Sequence, residues 1–337
     1  MPISMDVGTY NLVCCRRDAN NNFVYKREVN AFIEIPTEDR FVFSMMKNAG
    51  VPLIEWKDAK VAYALGEAAI NIAYSMPSLQ LKRPMFAGCL NPKEKHAQQI
   101  MAIMMHGLLD EVNQDKELLY YCVPSNAINS DTDADYHNLI LKEIFNSFRD
   151  DNGRTVVANP INEALALVYS ELAKKAYTGV GISFGGGMVN VCYSIFGVPA
   201  FQFAITNSGD WIDQQASRVT GESIAYINKE KNKLNLLEDS TDLVQRAIKA
   251  QYQIMVQKTA QEIKKGLESL GNKHKSHGAI DIVVSGGTSS PNGFEKLFGE
   301  ALKAVNVPIE IGEIIKPTDT LYSVARGCLL AAEASIQ

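Results

Sequence analysis

The chain has 337 residues, of which 46% are hydrophobic and 21% charged, and a net charge of −5. That length exceeds what one small core serves and makes two domains the expectation. The acidic balance, with Lys273-His274-Lys275 as the nearest approach to a basic block, excludes a nucleic-acid footprint, so no direct nucleic-acid partner is expected.

Residues 2–16 and 22–35 run or alternate apolar around Asp18-Ala19-Asn20-Asn21-Asn22, which predicts a hairpin with an Asx-rich turn. Residues 36–60 are mixed and turn-rich. Gly66 to Tyr74 predicts a short helix, and Arg83-Pro84-Met85-Phe86-Ala87-Gly88 breaks the pattern. Glu94 to Val112 predicts an amphipathic helix whose Met101, Met104 and Met105 form a core stripe rather than a cofactor box. Leu118 to Val123 is a continuous apolar run stopped by Pro124, as a buried parallel strand would be.

A helix over Asp135–Arg149, a strand over Thr155–Ala158 and a helix from Pro160 to Lys175 follow, an alternation that signals an α/β sheet. The pattern then restarts with strands at 179–184, 188–195 and 199–205. Residues 210–270 read as almost wholly helical. Strand 279–285, helix 293–304, strand 308–311 and a final helix over Asp319–Ala334 close the chain. A hairpin-and-strand opening thus occurs twice, at residue 2 and at residue 179, which implies two similar halves facing each other across a cleft.

Cys14, Cys15, Cys89, Cys122, Cys192 and Cys328 form no CxxC pair and mostly sit in apolar runs, so they read as buried free thiols. The five histidines, His274 and His277 among them, make no metal-ligand spacing with them. No stretch approaches the roughly 18 apolar residues of a spanning helix, so the expectation is no transmembrane segment and a cytoplasmic location.

Three glycine turns follow apolar runs: Met5-Asp6-Val7-Gly8-Thr9, Phe184-Gly185-Gly186-Gly187 and Val283-Val284-Ser285-Gly286-Gly287-Thr288. A glycine turn after a strand lets backbone N–H groups approach a phosphate with no side chain between. With Val157-Ala158-Asn159-Pro160-Ile161-Asn162-Glu163 and Leu321-Tyr322-Ser323-Val324-Ala325-Arg326-Gly327, these segments resemble, in order, those of the actin/Hsp70 superfamily. Leu65-Gly66-Glu67-Ala68 and the Arg83–Gly88 segment resemble its prokaryotic actin-like branch, which includes MreB, MamK and ParM.

The resemblance implies an α/β fold of duplicated actin-like (ribonuclease H-like) domains around a nucleotide cleft. Domain I would span 1–160 plus 318–337. Domain II would span 161–317, its outer subdomain reduced to helices. ATP or ADP with Mg²⁺ would be the cofactors. Asp6 would reach Mg²⁺ through water, and Gly8, Thr9, Tyr10 and Asn11 would form the first phosphate hairpin. Gly185, Gly186 and Gly187 would form the second, while Gly286, Gly287 and Thr288 would flank adenosine and Lys229 and Glu230 would hold adenine and ribose. Ser183 stands where relatives carry an aspartate, so it would meet the metal with a hydroxyl rather than a charge. Glu163 is the expected base or water-positioner, with Asn159 beside it on one helix face. Alternatively, Asn159 caps that helix and Glu163 complements its dipole. Asp210 is expected to cap a helix over 211–219.

The function so implied is an ATP-dependent filament-forming cytoskeletal or cytomotive protein with weakened hydrolysis, self-associating and served by adaptor proteins. The alternative is a non-polymerising nucleotide-binding adaptor or pseudo-ATPase.

Overall fold

A computed structural model describes residues 1–56, 60–76, 78–271 and 278–336. The chain opens with the meander β1 (Ile3–Val7), β2 (Asn11–Arg17) and β3 (Phe23–Val29). The β2–β3 turn is held as the Asx-rich sequence predicts, with Asp18 Oδ1 accepting from the N–H groups of Asn20 and Asn22. A small sheet follows: β4 (Phe32–Pro36), α1 (Arg40–Asn48), β5 (Ile54–Trp56), β6 (Val61–Leu65), α2 (Gly66–Ser75) and β7 (Leu81–Lys82), in the order β5-β6-β4-β7. Little in the residue pattern signals it. Its strands have at most five residues, and α1 buries only Met46.

After the short hairpin β8 (Met85–Phe86) and β9 (Cys89–Leu90) come α3 (Ala97–Leu109), β10 (Glu117–Val123), α4 (Ala134–Ser147) and β11 (Val156–Asn162). Met101, Met104 and Met105 are core residues of the first lobe. Then α5 (Glu163–Glu171) leads into β12 (Gly179–Phe184), β13 (Val189–Ile195) and β14 (Val198–Ile205). Three helices, α6 (Gly209–Thr220), α7 (Ile224–Lys231) and α8 (Leu243–Ser269), precede β15 (Ile280–Ser285), α9 (Phe294–Val305), β16 (Ile311–Ile315) and α10 (Ser323–Ala334).

The two large sheets share one topology. The first runs β11-β10-β1-β2-β3, the second β16-β15-β12-β13-β14, each a three-stranded antiparallel meander extended by two parallel strands. Strands β12 and β15 are buried along their whole length, which is why they read as largely apolar runs. Duplicated actin-like domains with flanking helices are therefore the fold.

Between the sheets lie α5 and α10. A side chain on Gly327 of α10 would place Cβ 1.8 Å from Ala166 O of α5, and one on Gly181 of β12 would place it 2.1 Å from Ala164 O. These two glycines let α5 touch both its partner helix and the second sheet. Cys122, Val283, Val324 and Cys328 close this middle layer, and all six cysteines are buried and free, as expected.

Several boundaries differ from the sequence reading. Strand β11 runs on to Asn162, and α5 starts at Glu163 rather than Pro160. Because β11 pairs only with β10, Pro160 sits in an edge strand where its missing N–H breaks no ladder. Strand β16 lies at 311–315 rather than 308–311, and α10 begins at Ser323. Lys273-His274-Lys275, read from the sequence as no basic footprint, and His277 lie outside the described residues. No described helix is long and apolar enough to cross a membrane.

Candidate functional site between the two sheets

The turns β1–β2 and β12–β13 are built alike. Gly8 N–H donates to Asn11 O at 3.0 Å, and Gly185 N–H donates to Met188 O at 2.9 Å. Asp6 and Ser183 each stand two residues before these glycines, so they occupy equivalent places in the two lobes. Both turns face one cleft, lined also by Thr9, Tyr10, Glu163, Gly186, Gly187, Asn190, Gly286 and Gly287.

Carbonyls of the second turn are held from behind. Gly185 O accepts from Gly209 N–H (3.1 Å) and the Thr288 hydroxyl (2.8 Å), and Gly186 O accepts from Asp210 N–H (2.8 Å). The N–H groups of Thr9, Tyr10, Gly186 and Gly187 donate to no described acceptor. Four donors at the mouth of two turns form an anion-binding concavity. Gly286 adopts φ +92°, with its α-carbon so close to Phe184 that a Cβ would lie 2.4 Å from Phe184 O. Only glycine fits there, and it locks the third turn against the second.

The cleft's charge comes from two carboxylates. Asn162 caps α5, its side chain accepting from Ala164 N–H and Leu165 N–H at 3.0 and 3.1 Å, which sets Glu163 at the first helical position. Glu163 Oε1 accepts from Ser183 Oγ at 2.5 Å, and Oε2 accepts from Asn190 Nδ2 at 2.8 Å. Asp6 Oδ1 accepts from Cys122 Sγ at 3.0 Å. Burial raises the pKa of both, Glu163 furthest, with the negative charge of Asp6 adding to it. No described ion pair involves either carboxylate. Two such groups without a cation partner are the donor set a divalent ion neutralises, one or two carboxylates plus substrate oxygens and water being the preferred Mg²⁺ shell. The residues fit that metal.

Tyr10 crosses the mouth. Its Oη donates to Asp210 Oδ1 at 2.5 Å, its ring lies against Gly186, and the Arg83 guanidinium stacks on it at 3.6 Å. It divides a phosphate-side cavity of about 100 Å³ from one of about 270 Å³ lined by Asn228, Lys231, Asn232, Thr288 and Leu321. Asp210 thus lies in the first turn of α6, whose N-cap position is Ser208, and bonds to Tyr10.

Three sequence expectations need correction. Asn159 is in the middle of β11, opposite Tyr120, and does not line the cleft; since Glu163 heads a helix that starts after it, the two share no helix face. The capping role expected of Asn159 falls to Asn162. Lys229 is exposed and Glu230 pairs with Lys233 at 2.7 Å, so neither lines the larger cavity. Lys231 does. Its ammonium is 6% exposed, 2.8 Å from the buried Asp213 carboxylate and 3.1 Å from Gly209 O. The helical spacing Ile227, Lys231, both buried, was the signal that could have found it. Asn190 was also missed, although the hairpin register that pairs it with Ser183 follows from the four-residue turn.

The profile of the Volactin family matches residues 1–332. The chain belongs to the Volactin family. No curated protein matches it. Among solved structures it is similar to the MamK double helical filament, at TM-score 0.72 and 15% identity over 99% of both chains. It is similar as well to MreB5 of Spiroplasma citri bound to AMPPNP, at TM-score 0.64 and 14% identity, covering 99% of this chain and 96% of that one. The ethanolamine utilization protein EutJ from Carboxydothermus hydrogenoformans follows at TM-score 0.51 and 14% identity, covering 98% and 89%. At such identities the likeness shows the fold, and this Volactin-family chain has the actin-like one.

Proposed function

We propose that this chain binds ATP or ADP with Mg²⁺ between its lobes and assembles with copies of itself into a cytoplasmic, cytomotive or cytoskeletal filament. The observation that carries the nucleotide reading is the pair of equivalent turns, Gly8–Asn11 and Gly185–Met188, presenting free N–H groups across the Asp6 and Glu163 carboxylates. Domain I is taken as 1–160 plus 318–337 and domain II as 161–317, with an outer part made of α6, α7 and α8. MamK in a filament and MreB5 with AMPPNP or ADP support the assembly and the ligand.

In this reading the Thr9, Tyr10, Gly186 and Gly187 N–H groups hold phosphate oxygens. Asp6, with Glu163 and the Ser183 hydroxyl near it, holds Mg²⁺, which supplies Lewis-acid neutralisation of phosphate charge. Glu163, the second carboxylate of the cleft, accepts the proton of the attacking water. Gly286, Gly287 and Thr288 flank adenosine, and Lys231 with Asn228 replaces Lys229 and Glu230 at the base side.

A second reading is favoured by one observation: the carboxylate of the first lobe, Asp6, has only Ser183 as its counterpart. A nucleotide-binding adaptor that does not polymerise or hydrolyse would tolerate that loss. Pelleting, phosphate release and negative-stain imaging with Mg²⁺ and ATP separate the two. ATP-dependent filaments with phosphate release support the first; tight nucleotide binding with neither leaves the adaptor.

A further inference from the structure

The loop 124–133, which leaves β10 in the first lobe, is fastened along β14 of the second. Ala127 forms a single parallel bridge with Ala204; Ile128 N–H donates to Ala204 O at 2.9 Å and Ala204 N–H to Asn126 O at 3.4 Å. Asn129 closes the far end, its Oδ1 accepting from Thr206 N–H at 3.0 Å and its Nδ2 donating to Asn207 Oδ1 at 2.9 Å. The edge of the second sheet is thereby covered by chain from the other lobe. Asn126, Ile128 and Asn129 are exposed, and bonds in such a seam open locally more easily than those of a core.

The near end of the loop reaches the cleft. Ser125 N–H donates to Asn190 Oδ1 at 3.0 Å, and Nδ2 of the same amide donates to Glu163 Oε2 at 2.8 Å. Asn190 is buried on β13, opposite Ser183 of β12 on one side and Ala204 of β14 on the other. It therefore joins the strand that carries the seam to the strand that enters the cleft.

The chemistry of the two partners fixes the amide. A backbone N–H only donates, and Glu163 accepts at Oε2, so the oxygen must face Ser125 and the nitrogen Glu163. Donor and acceptor lie on one rigid plane, and the group cannot turn towards one partner without leaving the other. A second link runs from Ser125 Oγ, which accepts from Asn162 Nδ2 at 2.9 Å, to the residue that caps α5. Asn162 sets where the helix begins; Asn190 holds the carboxylate it carries.

We infer that Asn190 is a positioning residue that makes docking of the loop 124–133 on β14 a condition for the alignment of the Glu163 carboxylate. With the loop docked, Ser125 N–H is present, the amide is held at both ends and Glu163 Oε2 is pinned. With the loop released, the amide oxygen is left buried without a donor, a costly state that turning the amide relieves, and Glu163 loses its anchor. Contact between the lobes at the surface is thus read at the carboxylate in the cleft. The catalytic consequence rests on the nucleotide reading above; the link from loop to carboxylate does not.

Asn129→Ala tests this from outside the cleft, because Asn129 is exposed and does not line it. Loosening the seam there should lower phosphate release at saturating ATP about threefold or more, the fall being carried by kcat rather than KM. Asn190→Ala should lower it about tenfold, and Asn129→Ala added to Asn190→Ala should lower it no further, since the relay is already cut. Falls that multiply, or wild-type release from Asn129→Ala, overturn the proposal. Amide hydrogen exchange in the nucleotide-free chain gives a readout without catalysis. Glu163→Ala should speed exchange at Ser125 and Ile128, neither of which bonds Glu163, about threefold or more. Unchanged exchange overturns the link. If the wild-type chain releases no phosphate, the hydrolysis reading fails and the exchange result alone decides the link.

Discussion

Ser183 Oγ donates to Glu163 Oε1 at 2.5 Å, which ties the residue that lacks a charge in the second lobe to the one that brings a charge beside it. Glu163, from the head of α5, supplies the cleft's second carboxylate. General-base groups contribute about 10²–10⁴ in rate, so Glu163→Gln is expected to lower phosphate release at saturating ATP by at least about a hundredfold. Ser183→Ala removes a bond that favours the ionised form of Glu163 and should shift the pH–rate profile to higher pH. Wild-type phosphate release from Glu163→Gln would remove Glu163 from the mechanism.

Stability should depend on pH with a definite sign. Glu163 is raised to about 8 in the folded chain and ionises in the ordinary carboxylate range when unfolded. Between those limits the folded state binds more protons, so its stabilisation is full below the unfolded pKa and lost as pH rises towards 8. His137, which burial lowers to about 4, acts oppositely, but only below its usual pKa. Over about pH 6.5–8 the nucleotide-free chain should lose stability with a slope of up to about 1.4 kcal/mol per unit. Urea denaturation across this window checks it: Glu163→Gln should flatten the slope.

Lys231 and Asp213 form a pair that is nearly all buried, with Asn228 Nδ2 also donating to Asp213 at 2.7 Å. Lys231→Met strands the carboxylate, and breaking one side of a buried pair costs about 3–5 kcal/mol. Adding Asp213→Leu should recover much of that loss. Thermal melts of the single and double variants decide it; equal destabilisation would mean that packing, not charge, is what Lys231 supplies.

How much of this was legible in the sequence follows from what kind of contact each residue makes. The three glycine turns and the repeated meander were readable because they rest on local signals: apolar runs for β12 and β15, then glycines where backbone must pass backbone. Asp6 and Ser183 followed from their distance to those glycines. The start of α5 was misplaced because Pro160, a common first helical residue, is here tolerated by an edge strand. Lys231 lost out to its neighbours because the resemblance picks out the Lys229-Glu230 pair, and its burial depends on Ile227 sharing its face. Tyr10 reaches Asp210 two hundred positions away, and no local pattern announces such a bond. The small sheet from β4 to β7 was missed for a similar reason, its short strands being held by one another rather than by strong alternation.

Gly327 of α10 lies directly against Ala166 of α5. With a Cβ 1.8 Å from Ala166 O, Gly327→Ala forces the helices apart, and overpacking of this kind costs typically about 1–3 kcal/mol or more. Since α5 carries Glu163 and α10 packs on the first sheet, the displacement should also weaken nucleotide binding. Denaturant titration together with ADP titration checks both; a stable variant with unchanged affinity would show that the pair has slack the structure does not display.

Tyr10 spans the cleft mouth, from the first turn to the head of α6. Its hydroxyl bond to Asp210 adds a link between the lobes at the mouth, and its ring separates the phosphate side from the base side. A nucleotide that reaches both sides passes this ring. Tyr10→Phe keeps the ring and the Arg83 stacking but removes the bond to Asp210, so the lobes should part more readily. A half-exposed bond to a charged acceptor is worth about 1 kcal/mol, which corresponds to a roughly fivefold faster release of ADP. Asp210→Asn should give a smaller increase, because an amide oxygen still accepts from the hydroxyl. Stopped-flow release of a fluorescent ADP measures both. If Tyr10→Phe releases ADP at the wild-type rate, the contact is a passive consequence of lobe closure and the gate lies elsewhere.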